Sequence, residues 1–310
     1  MKKTVSLLLA LLMLLSAAAM AEVKITATLF PQYDFARIIA GDHAEVTKFL
    51  PMGADSHSYE PTVRKMLEIN GSDLFLYTDP EMEPWAEGLT GGLDDSVKIV
   101  ECAEGIDLVA LNEQWEASHE EEEEEEEHHD HDHEHAYDAH IWLDPTLAAV
   151  MCENIRDALI EVDPDNAADY TANAEAYIAE LNALDAEIEE TLAGCAGGTV
   201  VFGGRFSYSH FLRRYGLEFL TAYSSCDAES EPSARQMVRI IEAMKEKDIR
   251  IVFTDELSDG RIADSIAKET GAEVKVFHTL HNLNDEEVEA GCTYLSLMEQ
   301  NLIYLKEALQ

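Results

Sequence analysis

The sequence predicts an α/β protein: two Rossmann-like parallel-sheet lobes joined by one long rigid helix, with a cleft between the lobes. Three observations carry this expectation. Short β-rich runs alternate with amphipathic stretches in both halves, and an unbroken helical repeat separates the halves. In addition, 310 residues at 46% apolar composition suffice for about two domains at roughly 100–200 residues each.

In the first half, Val23 to Phe30 is β-rich, Pro31 to Ala40 reads as helix, Glu45 to Leu50 alternates, and Pro61 to Asn70 is amphipathic. Asp73–Tyr77 and Val97–Val100 are further short apolar strands with a helix between them. Strands that alternate with helices build a parallel sheet covered on both faces. After residue 199 the alternation resumes, with Thr199–Phe202, Leu217–Leu220, Arg250–Phe253 and Val274–Phe277 as strands. Helices are expected near 207–215, 232–247 and 260–270, and a last one from 285 to the end. Ser233 and Gln236, just after Pro232, have the spacing of a capping box.

From Pro164 to Ala193 the residues Tyr170, Ala174, Tyr177, Leu181, Leu184 and Ile188 recur at helical steps, with no Gly or Pro between them. About thirty helical residues reach roughly 45 Å, enough to run along both lobes. A rigid helix packed on both permits only small tilts, so a ligand held between the lobes is small. The expected organisation is a signal peptide at 1–21, an N-terminal lobe at 22–160 that includes a disordered acidic loop at 116–137, a connecting helix at 161–194 and a C-terminal lobe at 195–310.

Asp and Glu number 63 against 21 Lys and Arg, a formal charge of −42. Leaving out the eleven acidic residues between Glu120 and Glu134 still leaves 52 against 21. Such a field repels phosphate backbones and anionic lipid, which argues against nucleic-acid binding, and it concentrates cations. Lys2 and Lys3, the apolar run Val5–Leu15 and Ala19-Met-Ala21 form the three parts of a secretory signal peptide, with cleavage expected after Ala21. No Cys follows that point closely, so a periplasmic chain without a lipid anchor is expected. The five cysteines, Cys102, Cys152, Cys195, Cys226 and Cys292, contain no C-x-x-C pair. That pattern argues against a thiolate zinc cluster, and the odd number leaves at least one thiol unpaired within the chain.

Glu120–Glu127 is followed by alternating imidazole and carboxylate from His128 to His135. Eight consecutive carboxylates do not pack on a core, so the tract reads as a solvated loop. His-rich tracts offer exchangeable ligands for zinc, nickel or copper, which suits collecting a metal and not defining a specific site. Directly after it stands Asp138-Ala-His-Ile-Trp-Leu-Asp144-Pro145. This D-x-H-x-W-x-D-P run behind an acidic His loop resembles the zinc-uptake ABC-transporter solute-binding proteins, a cluster that also includes manganese binders and adhesin-like lipoproteins. Further matches are Pro51-Met-Gly-Ala-Asp-Ser-His57-Ser-Tyr-Glu-Pro61, Phe211-Leu-Arg-Arg-Tyr-Gly-Leu217, Ala228-Glu-Ser-Glu-Pro-Ser233 and Glu289-Ala-Gly-Cys-Thr-Tyr-Leu-Ser-Leu-Met298. Together they cover essentially the whole mature chain.

His57 and His140 each sit in a loop where strand ends of a parallel sheet face a cleft. Zinc takes four N, O or S ligands at about 2.0–2.3 Å, so two histidines of the first lobe call for partners from the second. In the family, the histidines matching His57 and His140 are ligands. The family's third histidine falls at Arg205, whose guanidinium has no lone pair to give. The resemblance places a fourth, carboxylate ligand at Asp255 or Glu256, with Glu256 preferred. For the missing imidazole, His278 follows the next strand and is preferred, with His281 and His210 as alternatives. The expected metal set is therefore His57, His140, Glu256 and His278. Arg205 could hold a carboxylate beside the site, and Glu60, Glu229 and Glu231 are weaker candidates.

The expected function is capture of a divalent metal as cargo, zinc in the first place and Mn2+ as the alternative, by a monomeric chain that delivers it to a membrane ABC permease. A manganese-specific relative, a metal-dependent adhesin or a metal buffer are competing readings. No H-E-x-x-H, G-x-S-x-G or Walker pattern supports a zinc hydrolase.

Overall fold

The computed structural model describes residues 22–54, 56, 59–88, 92–110, 137–195, 197–223 and 232–310. The expected leader, His57, Cys226 and the Glu/His tract lie outside the described residues. In the first lobe the order is β1 (Val23–Ala27), α1 (Phe30–Ala40), β2 (Ala44–Lys48), α2 (Val63–Ile69), β3 (Leu74–Tyr77), α3 (Pro84–Glu87) and β4 (Lys98–Glu101). Its four strands pair in parallel in the order β2-β1-β3-β4. β5 (Val109–Ala110) and β6 (Tyr137–Asp138) form a two-residue antiparallel pair.

Two helices follow, α4 (Pro145–Val162) and α5 (Ala167–Leu192). The second lobe runs β7 (Thr199–Phe202), α6 (Ser209–Tyr215), β8 (Glu218–Thr221), α7 (Ala234–Glu246), β9 (Ile251–Thr254), α8 (Arg261–Thr270), β10 (Glu273–Val276), α9 (Asp285–Ala290) and α10 (Tyr294–Ala308). Its parallel sheet has the order β10-β9-β7-β8. Counted within each lobe, both sheets run 2-1-3-4. The connections reverse between the first and third strands, so each lobe opens a crevice at the carboxyl ends of those strands.

The expected α/β architecture is therefore present, and α5 is the connecting helix. Its buried stripe is Tyr170, Ala174, Tyr177, Leu181, Leu184, Ile188 and Leu192. The helix packs on α1 and α4 of the first lobe and on α6 and α10 of the second. One continuous apolar core threads both lobes, including Phe35, Trp142, Tyr177, Phe277 and Tyr294. At about 25 cal/mol per Å2 of apolar surface, sharing a core opposes wide separation of the lobes.

Two features depart from the expected elements. The 18-residue α4 was not among them. Asp144-Pro145 reads as the end of a motif, yet it is a helix start: the Asp144 side chain accepts from Thr146 N at 2.8 Å and Pro145 fills the first turn. The final helix is two, because Gly291 adopts φ 71 and closes α9 before Thr293 caps α10. The Ser233–Gln236 capping box forms as expected.

A buried carboxyl, Glu83, stitches the ends of β1 and β3 together. Its Oε1 accepts from Thr28 Oγ1 at 2.5 Å and Thr78 Oγ1 at 3.2 Å, and its Oε2 from Thr78 N at 3.1 Å. Burial is the main cause that pushes its pKa up to about 8, and the neighbouring Asp79 is raised to about 6, also chiefly by burial. The unfolded chain releases the Glu83 proton near pH 4.5. Between there and about pH 8 the folded state holds a proton that the unfolded state lacks, so stability falls as pH rises through that window. Glu83→Gln should remove this fall, so that the variant's stability changes little between pH 5 and pH 8.5 while wild type loses on the order of a few kcal/mol. Urea titrations of both proteins at pH 5 and pH 8.5 check this, and parallel losses in the two proteins would contradict it.

Candidate metal centre

His140 stands at the entrance to a single 3-10 turn, Ile141–Leu143, with a non-helical backbone (φ −81, ψ 48). Its backbone N donates to Asp138 Oδ1 at 3.0 Å, and its Nδ1 lies 2.5 Å from the same oxygen. The D-x-H spacing thus lets one carboxylate orient both backbone and ring. Asp138 also binds the other lobe. Its Oδ2 accepts from Ser209 N at 3.0 Å and its backbone O from His210 Nε2 at 2.7 Å, both on α6. Burial would push the Asp138 carboxyl up, but His140, His210 and the Ser209 bond outweigh it and hold its pKa well below the usual carboxylate range.

From the second lobe, the segment after β10 crosses into the seam. The His281 ring stands against His140 edge to face, with centroids 4.7 Å apart. Trp142 completes a triangle, 5.3 Å from His140 and 5.2 Å from His281. The Trp142 indole N–H donates to Thr279 O at 2.8 Å, and Tyr294 Oη donates to Trp142 O at 2.6 Å. Phe30 N donates to His281 O at 3.0 Å, so the segment is pinned from the first lobe as well. Leu280 supplies the turn, with φ 60, a left-handed conformation that costs a branched side chain about 1–3 kcal/mol and tends to persist at functional sites.

Glu256 acts on this segment and not on the seam directly. Its Oε2 accepts from Thr279 N at 2.8 Å and its Oε1 from Thr279 Oγ1 at 2.6 Å, while the same hydroxyl lies 2.5 Å from His281 Nδ1. An ionised carboxylate only accepts, so it takes the hydroxyl proton and the hydroxyl oxygen is left to accept from His281 Nδ1–H. His281 then carries its lone pair on Nε2. The Asp138 contact selects the same tautomer for His140. Both opposed imidazoles therefore have Nδ1 held by a carboxylate or a carboxylate-bound hydroxyl, the arrangement that orients metal-ligating histidines.

His278, the expected partner, is engaged inside its own lobe. Its Nδ1 accepts from Leu280 N at 2.9 Å and its Nε2 is 3.1 Å from Glu287 Oε1, while Asn301 holds its backbone on both sides at 2.7 and 2.8 Å. Asp255 is a loop brace: Oδ2 accepts from Arg205 N at 3.2 Å and Oδ1 from Leu257 N at 3.1 Å. The loop comes so close that a Cβ at Gly204 would lie 2.5 Å from Asp255 Oδ2, which explains glycine before Arg205. Burial, then Glu256, raises the Asp255 pKa. His210 is buried and spans the lobes through Asp138. Among the described residues no group of three or more His, Cys, Asp or Glu is already gathered in metal-binding geometry. Thr279 carried no signal in the sequence, and Asp138 was visible only as part of its motif.

Two α/β lobes fixed by one long helix, with an imidazole from each meeting at the seam, define a solute-binding protein of the rigid-helix kind. Residues 25–308 match the family of the zinc-uptake complex component A, periplasmic (ZnuA), and the chain belongs to that family. It is 32% identical over 289 residues to the high-affinity zinc uptake system protein ZnuA of Bacillus subtilis, covering 93% of this chain and 88% of that protein. It is 32% identical over 313 residues to the zinc-binding lipoprotein AdcA of Streptococcus pneumoniae, and spans 61% of AdcA's length. The Zn(II)-bound ZnuA-like domain of AdcA superposes with a TM-score of 0.77 at 28% identity, over 93% of this chain and 99% of that one. The laminin binding protein of Streptococcus agalactiae, a bifunctional protein with adhesin and metal transporting activity, also gives 0.77 at 28% identity, over 93% of this chain and 100% of that one.

Proposed function

We propose that this chain captures a zinc ion at the seam between its lobes and passes it to a membrane ABC permease outside the cytoplasm. Nε2 of His140 and Nε2 of His281 are two of the ligands in this reading, and His57, known here only from its motif, is the third. Glu256 holds His281 through Thr279 and does not itself ligate, and His278 is a structural residue of the second lobe. The reading replaces the preferred His278 by the alternative His281, because the turn at Leu280 sends only the later imidazole towards His140. The observation that carries it is the pair of opposed imidazoles, each with Nδ1 on a carboxylate or on a carboxylate-bound hydroxyl.

Nitrogen donors in place of a carboxylate favour zinc over manganese, which prefers oxygen. The leader exports the chain to the periplasm, where it acts as a monomer, and the Glu/His tract gathers metal ions near the seam. A competition titration against a chromophoric zinc chelator tests the reading, using the full chain and a variant lacking residues 119–136. One tight site should survive the deletion. Loss of all tight binding in the deletion variant would instead favour a metal buffer working through the tract.

A further inference from the structure

The segment that carries His281 is tied to the first lobe by one side chain beyond the metal centre. Asn282 is 1% exposed and uses its full hydrogen-bonding capacity. Its Nδ2 donates to Pro51 O at 2.6 Å and Ala54 O at 3.1 Å. Its Oδ1 accepts from Lys48 Nζ at 2.5 Å and Leu283 N at 2.9 Å. Gly53 N donates to Leu283 O at 3.3 Å alongside. The first-lobe partners lie at the end of β2 and in the turn 51–54, which in sequence runs on to His57 three residues later. Lys48 is half-buried here, and burial lowers its pKa.

We propose that Asn282 is a positioning residue for metal retention, a clasp that locks the turn of residues 51–54 onto the segment 278–283. The proposal rests on the reading of the seam as the zinc site. The side chain does not touch the ion. It couples the two ligand-bearing segments, so the seam cannot open on the first-lobe side until four cross-lobe hydrogen bonds break: two from Asn282 to carbonyls, one from Lys48 and the Gly53 backbone bond. Asn282 is adjacent to His281 but bonds to Lys48, Pro51 and Ala54, whereas His281 meets Thr279 and His140, so closing the clasp and orienting the imidazole are separate tasks. A residue that only filled space would meet four polar groups with none of these bonds.

The test compares zinc dissociation from wild type, Asn282→Ala and Asn282→Ser, measured by stopped flow with excess chelator, with hydrogen exchange of residues 51–56 in the zinc-free proteins. Either variant removes both amide donors, and serine retains a small polar group in case alanine fails to fold. Dissociation should quicken at least tenfold in the folded variant, with faster exchange at 51–56 and unchanged exchange in α5. Dissociation within twofold of wild type overturns the clasp, as does a global rise in exchange that includes α5, which marks a purely structural role. If wild type itself holds no tight zinc, the reading of the seam fails and the retention role falls with it, whereas tight zinc in wild type with dissociation unchanged in the variants overturns the clasp alone.

Discussion

His281→Ala should lower zinc affinity by roughly a hundredfold or more, whereas His278→Ala should change it by less than about tenfold. Both imidazoles follow β10, are buried (2% and 5% exposed) and lie three residues apart, so composition and burial are matched. Their hydrogen bonds are not. His281 has Nδ1 on a hydroxyl that Glu256 holds, and its ring faces His140. His278 spends its ring nitrogens on Leu280 N and Glu287. His278→Ala should instead act on stability, by leaving the Leu280 N–H and Glu287 without their partner, at a cost of about 1–3 kcal/mol. Chelator competition and thermal unfolding on the two variants separate the effects. Equal losses of affinity would place the ion nearer His278.

The second large effect is expected at Asp138. Asp138→Asn keeps the size but exchanges a charged acceptor for an amide, which cannot accept from both His140 Nδ1 and Ser209 N. Zinc affinity should fall about 10–100-fold, the usual consequence of removing the carboxylate behind a ligating histidine. The fold also loses a cross-lobe bond. Because the Asp138 pKa is lowered in the folded state, the stability it contributes is complete above the ordinary carboxylate range and disappears as pH falls through the lowered value. The stability difference between wild type and Asp138→Asn should therefore be constant from pH 6 to 8 and shrink on acidification, as followed by urea midpoints. A difference that grows towards acid pH would contradict this account.

Much of the fold was legible because its signals are local. The stripe from Tyr170 to Ile188 specifies α5 by period alone, and the alternation of strand and helix specifies the two sheets. α4 carries a helical period in Ala148, Met151, Cys152, Ile155 and Leu159, but Asp144-Pro145 reads as the close of the preceding motif and not as a helix start. At the metal centre, His140 was legible because Asp138, His140 and Trp142 are contiguous and act together. Which of His278 and His281 faces His140 was not, because that depends on the left-handed turn at Leu280. A leucine gives no sign of that conformation. Its place after β9 singles Glu256 out as a candidate metal ligand, but its bonds to Thr279 leave no local sign because that residue lies 23 positions away.

The central claim is that one ion sits between imidazoles of the two lobes. An anomalous difference map from crystals of the zinc-loaded chain, collected on both sides of the zinc edge, tests it most directly. The account predicts a single strong peak about 2.0–2.1 Å from Nε2 of both His140 and His281. A peak at His278 and Glu287, or none between the lobes while zinc remains bound elsewhere, would contradict it.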